Sequence, residues 1–331
     1  MARIGITTTV PVEIILAAGH IPVDLNNIFI TSPAASRMVE TAEEAGYPRN
    51  ICGWIKGLYA VMVNKEFNAS FGGIDKVIAV TQGDCSNTHA LMETYQLAGI
   101  ETIPFAYPFD RDYDLLKLQM EKLMATLGTN WEAVYGVKRQ LDKLRLNVAE
   151  IDRRTWQENT VSGLHNHLYQ VSCSDFNSDT ETFVSDVDGF LQQTDNASEY
   201  TDDLRLGFIG VPPIFTDLYP YLETLGARIV YNEVQRQFAM PFATDDIVEQ
   251  YRLYTYPYGV FGRINDIEIE IERRNLDGLV HYVQSFCFRQ IEDIIFRKKL
   301  TIPILTIEGD KPGKIDARTR LRMESFLEML R

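Results

Sequence analysis

Short runs rich in Val and Ile alternate with segments of helical period, and along these 331 residues the alternation occurs twice. Few architectures accept such a pattern, because a strand, a crossover helix and a second strand build a parallel sheet with helices on its faces. In the first half, residues 3–8 read as a strand. Pro11 and Glu13 then open a helix that stops at Gly19, with proline in the first turn and glycine past the end as helix termini prefer. Lys76-Val77-Ile78-Ala79-Val80 is a buried-strand run followed by the loop Thr81-Gln82-Gly83-Asp84-Cys85. A helix over residues 86–98 comes next, with Leu91, Tyr95 and Ala98 on one face and Gly99 as its stop, and residues 101–105 form another strand.

The second half repeats the scheme. Residues 206–210 read as a strand, Val211-Pro212-Pro213 as a loop, and Leu218, Leu222 and Leu225 as one face of a helix ending at Gly226. Strands follow at 228–231 and 278–283. The loop Gln284-Ser285-Phe286 then delivers Cys287 onto a helix carrying Phe288, Ile291 and Ile295 on one face. A strand over 302–307 ends in Glu308-Gly309-Asp310, and a helix closes the chain. Between the halves, residues 114–171 are almost wholly helical in pattern, and residues 172–204 hold nine acidic side chains and no Lys or Arg. That acidic stretch reads as a solvated connector, or else as a docking surface for a basic partner. The expected fold is α/β, with two open parallel-sheet, Rossmann-like domains at 1–113 and 205–331 joined by a helical connector at 114–204.

Charge and hydropathy narrow the function. With 32 basic and 46 acidic side chains the net charge is −14, the wrong sign for a phosphate-backbone binder, so nucleic acid is not expected as a partner. No apolar run approaches the roughly 18 residues of a membrane span, and Met1-Ala2-Arg3-Ile4-Gly5 lacks the layout of a signal peptide. A cytoplasmic location is therefore expected, where thiols stay reduced and four cysteines serve as thiols or metal ligands rather than disulfides.

In open parallel sheets ligands bind outside the carboxyl ends of the strands. Cys85 and Cys287 fall at such ends, and Cys52 opens a helical segment after the loop Tyr47-Pro48-Arg49-Asn50-Ile51. Helix N-termini favour thiolate, the form that binds metal, so these three thiolates could meet in one cleft between the domains. Their spacing matches no zinc-finger or ferredoxin run, and the ordinary alternative is three buried structural thiols. Cys173, inside the acidic stretch, reads as structural.

Other motifs are weaker. Gly309-Asp310-Lys311-Pro312-Gly313-Lys314 imitates a phosphate loop, but it is one residue short and puts Ile315 where Ser or Thr should hold magnesium. Neither half has a dinucleotide fingerprint after its first strand. His165 and His167, two apart, face different sides of a helix. His89, four residues after Cys85, allows a metal-free thiol enzyme built on that pair. Glu308 at a strand end is a weak acid-base candidate.

The chain resembles the 2-hydroxyacyl-CoA dehydratase family, which also takes in benzoyl-CoA reductase subunits and double-cubane-cluster reductases. The likeness covers nearly the whole sequence. It runs from Val10-Pro11-Val12-Glu13 and Ala17-Ala18-Gly19-His20-Ile21-Pro22 through the segments around Cys52 and Cys85 to Trp156-Gln157-Glu158-Asn159. It continues through Ile209-Gly210-Val211-Pro212-Pro213, Gly278-Leu279-Val280 leading to Cys287, Glu308-Gly309-Asp310, and the closing segment from Arg318 to Phe326.

The resemblance implies that Cys52, Cys85 and Cys287 hold a [4Fe-4S] cluster whose fourth iron lacks a cysteine. It implies as partners a separate ATP-hydrolysing activator, itself an iron-sulfur protein that injects a low-potential electron, and a second homologous subunit or a homodimer. The implied substrate is an acyl-CoA or another small reducible molecule, dehydrated through a ketyl radical or reduced. A double-cubane cluster would need more thiolates than one chain offers once Cys173 is set aside, though two chains pooling three each would supply them. A non-catalytic electron-relay subunit is the other expectation. Lys56 and Arg289, near Cys52 and Cys287, are candidate rim cations for the CoA phosphates.

Overall fold

The computed structural model describes residues 1–201 and 204–331, so Asp202 and Asp203 of the acidic stretch lie outside the described residues. It divides into two compact units. One comprises Met1–Leu146, Ser172–Val184 and Met240–Tyr258, the other Asn147–Val171, Ser185–Ala239 and Gly259–Arg331.

The first unit is built on a four-stranded, all-parallel sheet. Its strands are β1 (Arg3–Ile6), β2 (Ile21–Asp24), β3 (Lys76–Gln82) and β4 (Glu101–Ala106), in the order β2-β1-β3-β4. The continuous apolar runs follow from burial on both faces: Ile4, Ile6 and Val77 through Val80 have no exposed surface. β2 is the one strand of this sheet that periodicity does not show, because it is four residues long and contains Pro22. Proline is tolerated there because β2 is an edge strand, where a missing N–H costs no ladder bond.

The second unit repeats the plan with β5 (Leu204–Gly210), β6 (Ala227–Asn232), β7 (Gly278–Gln284) and β8 (Ile304–Gly309), in the order β6-β5-β7-β8 and again all parallel. The fold is thus α/β with two parallel, Rossmann-like sheets. β8 runs two residues later than its apolar pattern suggests. Pro303 precedes it and the ladder continues to the pair Gln284–Gly309, so Glu308 lies in the strand rather than in a loop beyond it.

Two local expectations change. Phe288 and Ile291 are 45% and 69% exposed, whereas Ile295 packs on the core of Ile209, Ile264 and Phe296. A 3-10 turn over Phe288–Ile291 precedes the α-helix Glu292–Lys299, and the change of period puts these residues on different faces. The acidic stretch is not solvated throughout: Cys173, Ser174, Asp175 and Phe176 are buried in the first unit, and only from about residue 180 does an exposed helix, Thr180–Thr194, follow. No helix among the described residues is long and apolar enough to cross a membrane.

Candidate functional site

Cys52 is the N-cap residue of the helix Gly53–Val63 and is 6% exposed. The loop that brings it there is closed by Lys56, whose ammonium donates to the Arg49 carbonyl at 2.9 Å and to Glu43 at 2.7 Å. Lys56 is therefore buried and engaged, not a rim cation. On the same helix, Gly57 lies against the Phe29 ring so closely that a Cβ would sit 2.2 Å from it.

Cys85 ends the loop that leaves β3. Its carbonyl accepts the Thr88 N–H at 3.0 Å, which starts the helix Thr88–Leu97 two residues later than its apolar pattern suggests. Its sulfur accepts the Asn87 N–H at 3.4 Å. The loop is held from its other side as well. Tyr256 donates its hydroxyl to Asp84 at 3.3 Å, and Gly83, at φ +96°, fits between Pro257 and Tyr107 with no room for a side chain. The helices that follow Cys52 and Cys85 pack on each other, with the Tyr95 hydroxyl donating to the Leu58 carbonyl at 2.8 Å.

In the second unit Cys287 is the N-cap of the 3-10 turn and is partly exposed. Its N–H donates to the Gln284 carbonyl at 3.0 Å, and the Gln290 side chain donates to the same oxygen at 2.7 Å. Phe286, immediately before it, has φ +65°, a conformation that a bulky L residue adopts only when its surroundings impose it. Gln284 is fixed in turn by a hydrogen bond from Tyr282 at 2.6 Å and by one to the Asp310 carbonyl at 3.0 Å. Ser285 donates to Glu308 at 2.7 Å, which gives that exposed carboxylate a role in bracing the loop.

Cys52 and Cys287 thus each stand at the cap of a helical segment and Cys85 in the turn just before one, where a backbone N–H, that of Asn87, reaches its sulfur. Cys173 differs: it is 1% exposed, and burial pushes its thiol up to about 12, so it is held as a neutral thiol. His89 is on an exposed face of its helix. His165 is exposed and bonded to Ser162, while His167 lies against Tyr219 and Gln235, where burial lowers its imidazole to about 4. Among the described residues no group of three or more His, Cys, Asp or Glu side chains forms a metal site by itself.

The family model described as 2-hydroxyglutaryl-CoA dehydratase, D-component, matches residues 7–330. The chain belongs to that family. None of the curated proteins compared with it matches. For a D-component family chain the donor set is chemically apt, since cysteine sulfurs are the usual protein ligands of iron-sulfur clusters and three of the four cysteines stand at or just before helical segments. Sequence reasoning singled out these three. It named Lys56 only as a rim cation and had no signal for Tyr256, Gln284 and Gln290 as the side chains that hold these loops, because each acts through a contact made only in the folded chain.

Proposed function

We propose that this protein is a dehydratase-type enzyme in which Cys52, Cys85 and Cys287 hold a [4Fe-4S] cluster with one iron free of cysteine. It acts on an acyl-CoA or another small reducible substrate and takes its electrons from a separate ATP-hydrolysing activator. The observation that supports this reading best is the shared placement of the three thiols at helical starts, in a chain that matches the D-component family over residues 7–330. When bound, such a cluster supplies single electrons at a potential set by its surroundings. The chain's own contribution is to place each cysteine at or just before a helical segment and to fix its loop through a further contact, as Lys56 does for Cys52, Tyr256 for Cys85 and Gln290 for Cys287.

The test is iron and acid-labile sulfide content on anaerobically purified chain beside Cys52→Ala, Cys85→Ala, Cys173→Ala and Cys287→Ala. About four irons per chain, retained only in wild type and Cys173→Ala, are expected. No iron in anaerobic wild type would overturn the reading. Iron present without turnover of acyl-CoA substrates in the presence of a reducing activator would make the protein a relay subunit instead.

A further inference from the structure

Resting on the assignment of Cys287 as a cluster ligand, we propose that a chain of alternating charges, Glu233, Arg263, Glu292 and Arg289, buried except for the partly exposed Glu292, positions the turn carrying Cys287 and sets the electrostatic surroundings of its sulfur. Cys287 lines a small crevice together with Arg263, His281, Gln284, Arg289 and Glu292. The chain of charges begins at the carboxyl end of β5. There Gly210, at φ +96° and packed on the Tyr282 carbonyl, donates its N–H to Glu233 at 2.9 Å. Glu233 takes a two-pronged contact from Arg263, Nε at 2.6 Å and Nη2 at 2.8 Å. Arg263 also donates to Glu292, and Glu292 accepts from Arg289 at 3.1 Å. Arg289 is two residues past Cys287 on the same turn.

Glu233, Arg263 and Arg289 are all buried, and the four formal charges cancel. Such a chain is a poor way to stabilise a fold, because apolar residues of similar volume serve as well or better. Beside a ligand sulfur it has another use. In a partly buried crevice water screens fixed charges less than in bulk, so they act on the sulfur, and groups just outside a metal's ligands tune its potential. Of the remaining titratable groups of the crevice, His281 is held by Asp293 at 2.7 Å and Tyr282 donates to Gln284 at 2.6 Å.

Electrostatic control makes opposite-signed demands on two neighbouring substitutions, which loosening of the turn does not. Glu292→Gln leaves an excess positive charge, and Arg289→Gln leaves an excess negative one. The first readout is the rate of iodoacetamide alkylation of Cys287 in the metal-free full-length chain at one pH, mapped by mass spectrometry with Cys52 as internal reference. The second is the reduction potential of the cluster-loaded chain.

Glu292→Gln is expected to speed Cys287 alkylation by about threefold or more and to raise the potential, and Arg289→Gln to slow alkylation and lower the potential. Arg289→Lys, which keeps the charge and is the recourse if Arg289→Gln fails to fold, is expected to stay close to wild type. Changes of the same sign in both variants, or none in either, would overturn the proposal. Opposite-signed alkylation changes in a chain that never takes up iron would leave the charge chain standing while removing the cluster assignment.

Discussion

The carboxylate of Asp175 accepts the backbone N–H of Asp24 at 2.7 Å, and the two acids are buried together in the first unit. Asp24 caps the helix Leu25–Thr31, and Asp175 leads into Phe176, Asn177 and Ser178, three successive residues with positive φ. Burial, reinforced by the neighbouring Asp24 carboxylate, pushes Asp175 up to about 7, and burial raises Asp24 as well. The segment that returns to the first unit at Ser172 is therefore pinned by an acid that prefers to keep its proton.

A pH dependence follows from that preference. Between about pH 4, where an aspartate in an unfolded chain ionises, and about pH 7 the folded chain keeps a proton that the unfolded chain releases. The stability contributed by the protonated acid is complete below this window and is lost as pH rises through it. Thermal unfolding of wild type beside Asp175→Asn from pH 4.5 to 8 checks this. Wild type should lose midpoint temperature relative to the variant as pH rises, and parallel curves would show that Asp175 is ionised throughout.

Gly83→Ala should destabilise the chain by about 1–3 kcal/mol, because the position has φ +96° and an added Cβ would lie 2.8 Å from Pro257 and 2.9 Å from Tyr107. The strain falls on the loop that presents Cys85. Urea unfolding gives the stability change, and a variant as stable as wild type would mean that the loop relaxes freely.

Lys56→Met tests whether this lysine is a strut or a ligand-binding cation. Removing the ammonium leaves the Arg49 carbonyl and Glu43 without its two hydrogen bonds. The cost should be about 1–3 kcal/mol, less than for a fully buried ion pair because Glu43 keeps access to water. If urea unfolding shows no loss while acyl-CoA affinity falls, Lys56 is a binding residue after all.

The sequence by itself determined the elements whose periodicity is strong. β3 and β7, with Lys76-Val77-Ile78-Ala79-Val80 and Gly278-Leu279-Val280, are central strands covered on both faces, so their apolar runs are unbroken and legible. The edges were not. β2, with Pro22, and β8, displaced past Pro303, take their limits from a neighbour's hydrogen-bonding groups, which no local pattern encodes.

The same division holds at the site. That Cys52, Cys85 and Cys287 precede helical segments was readable from turn residues and helix stops, whereas the acidic stretch around Cys173 read as solvated and the fold buries its start, Cys173 through Phe176. Lys56 and Arg289 looked like free cations because charge is visible in a sequence and partners are not. Glu43 and the Arg49 carbonyl claim one, and Glu292 pairs with the other. Periodicity is a property of neighbours along the chain, while burial, strain at Phe286 and pairing of charges depend on residues that only tertiary structure brings within a few ångströms.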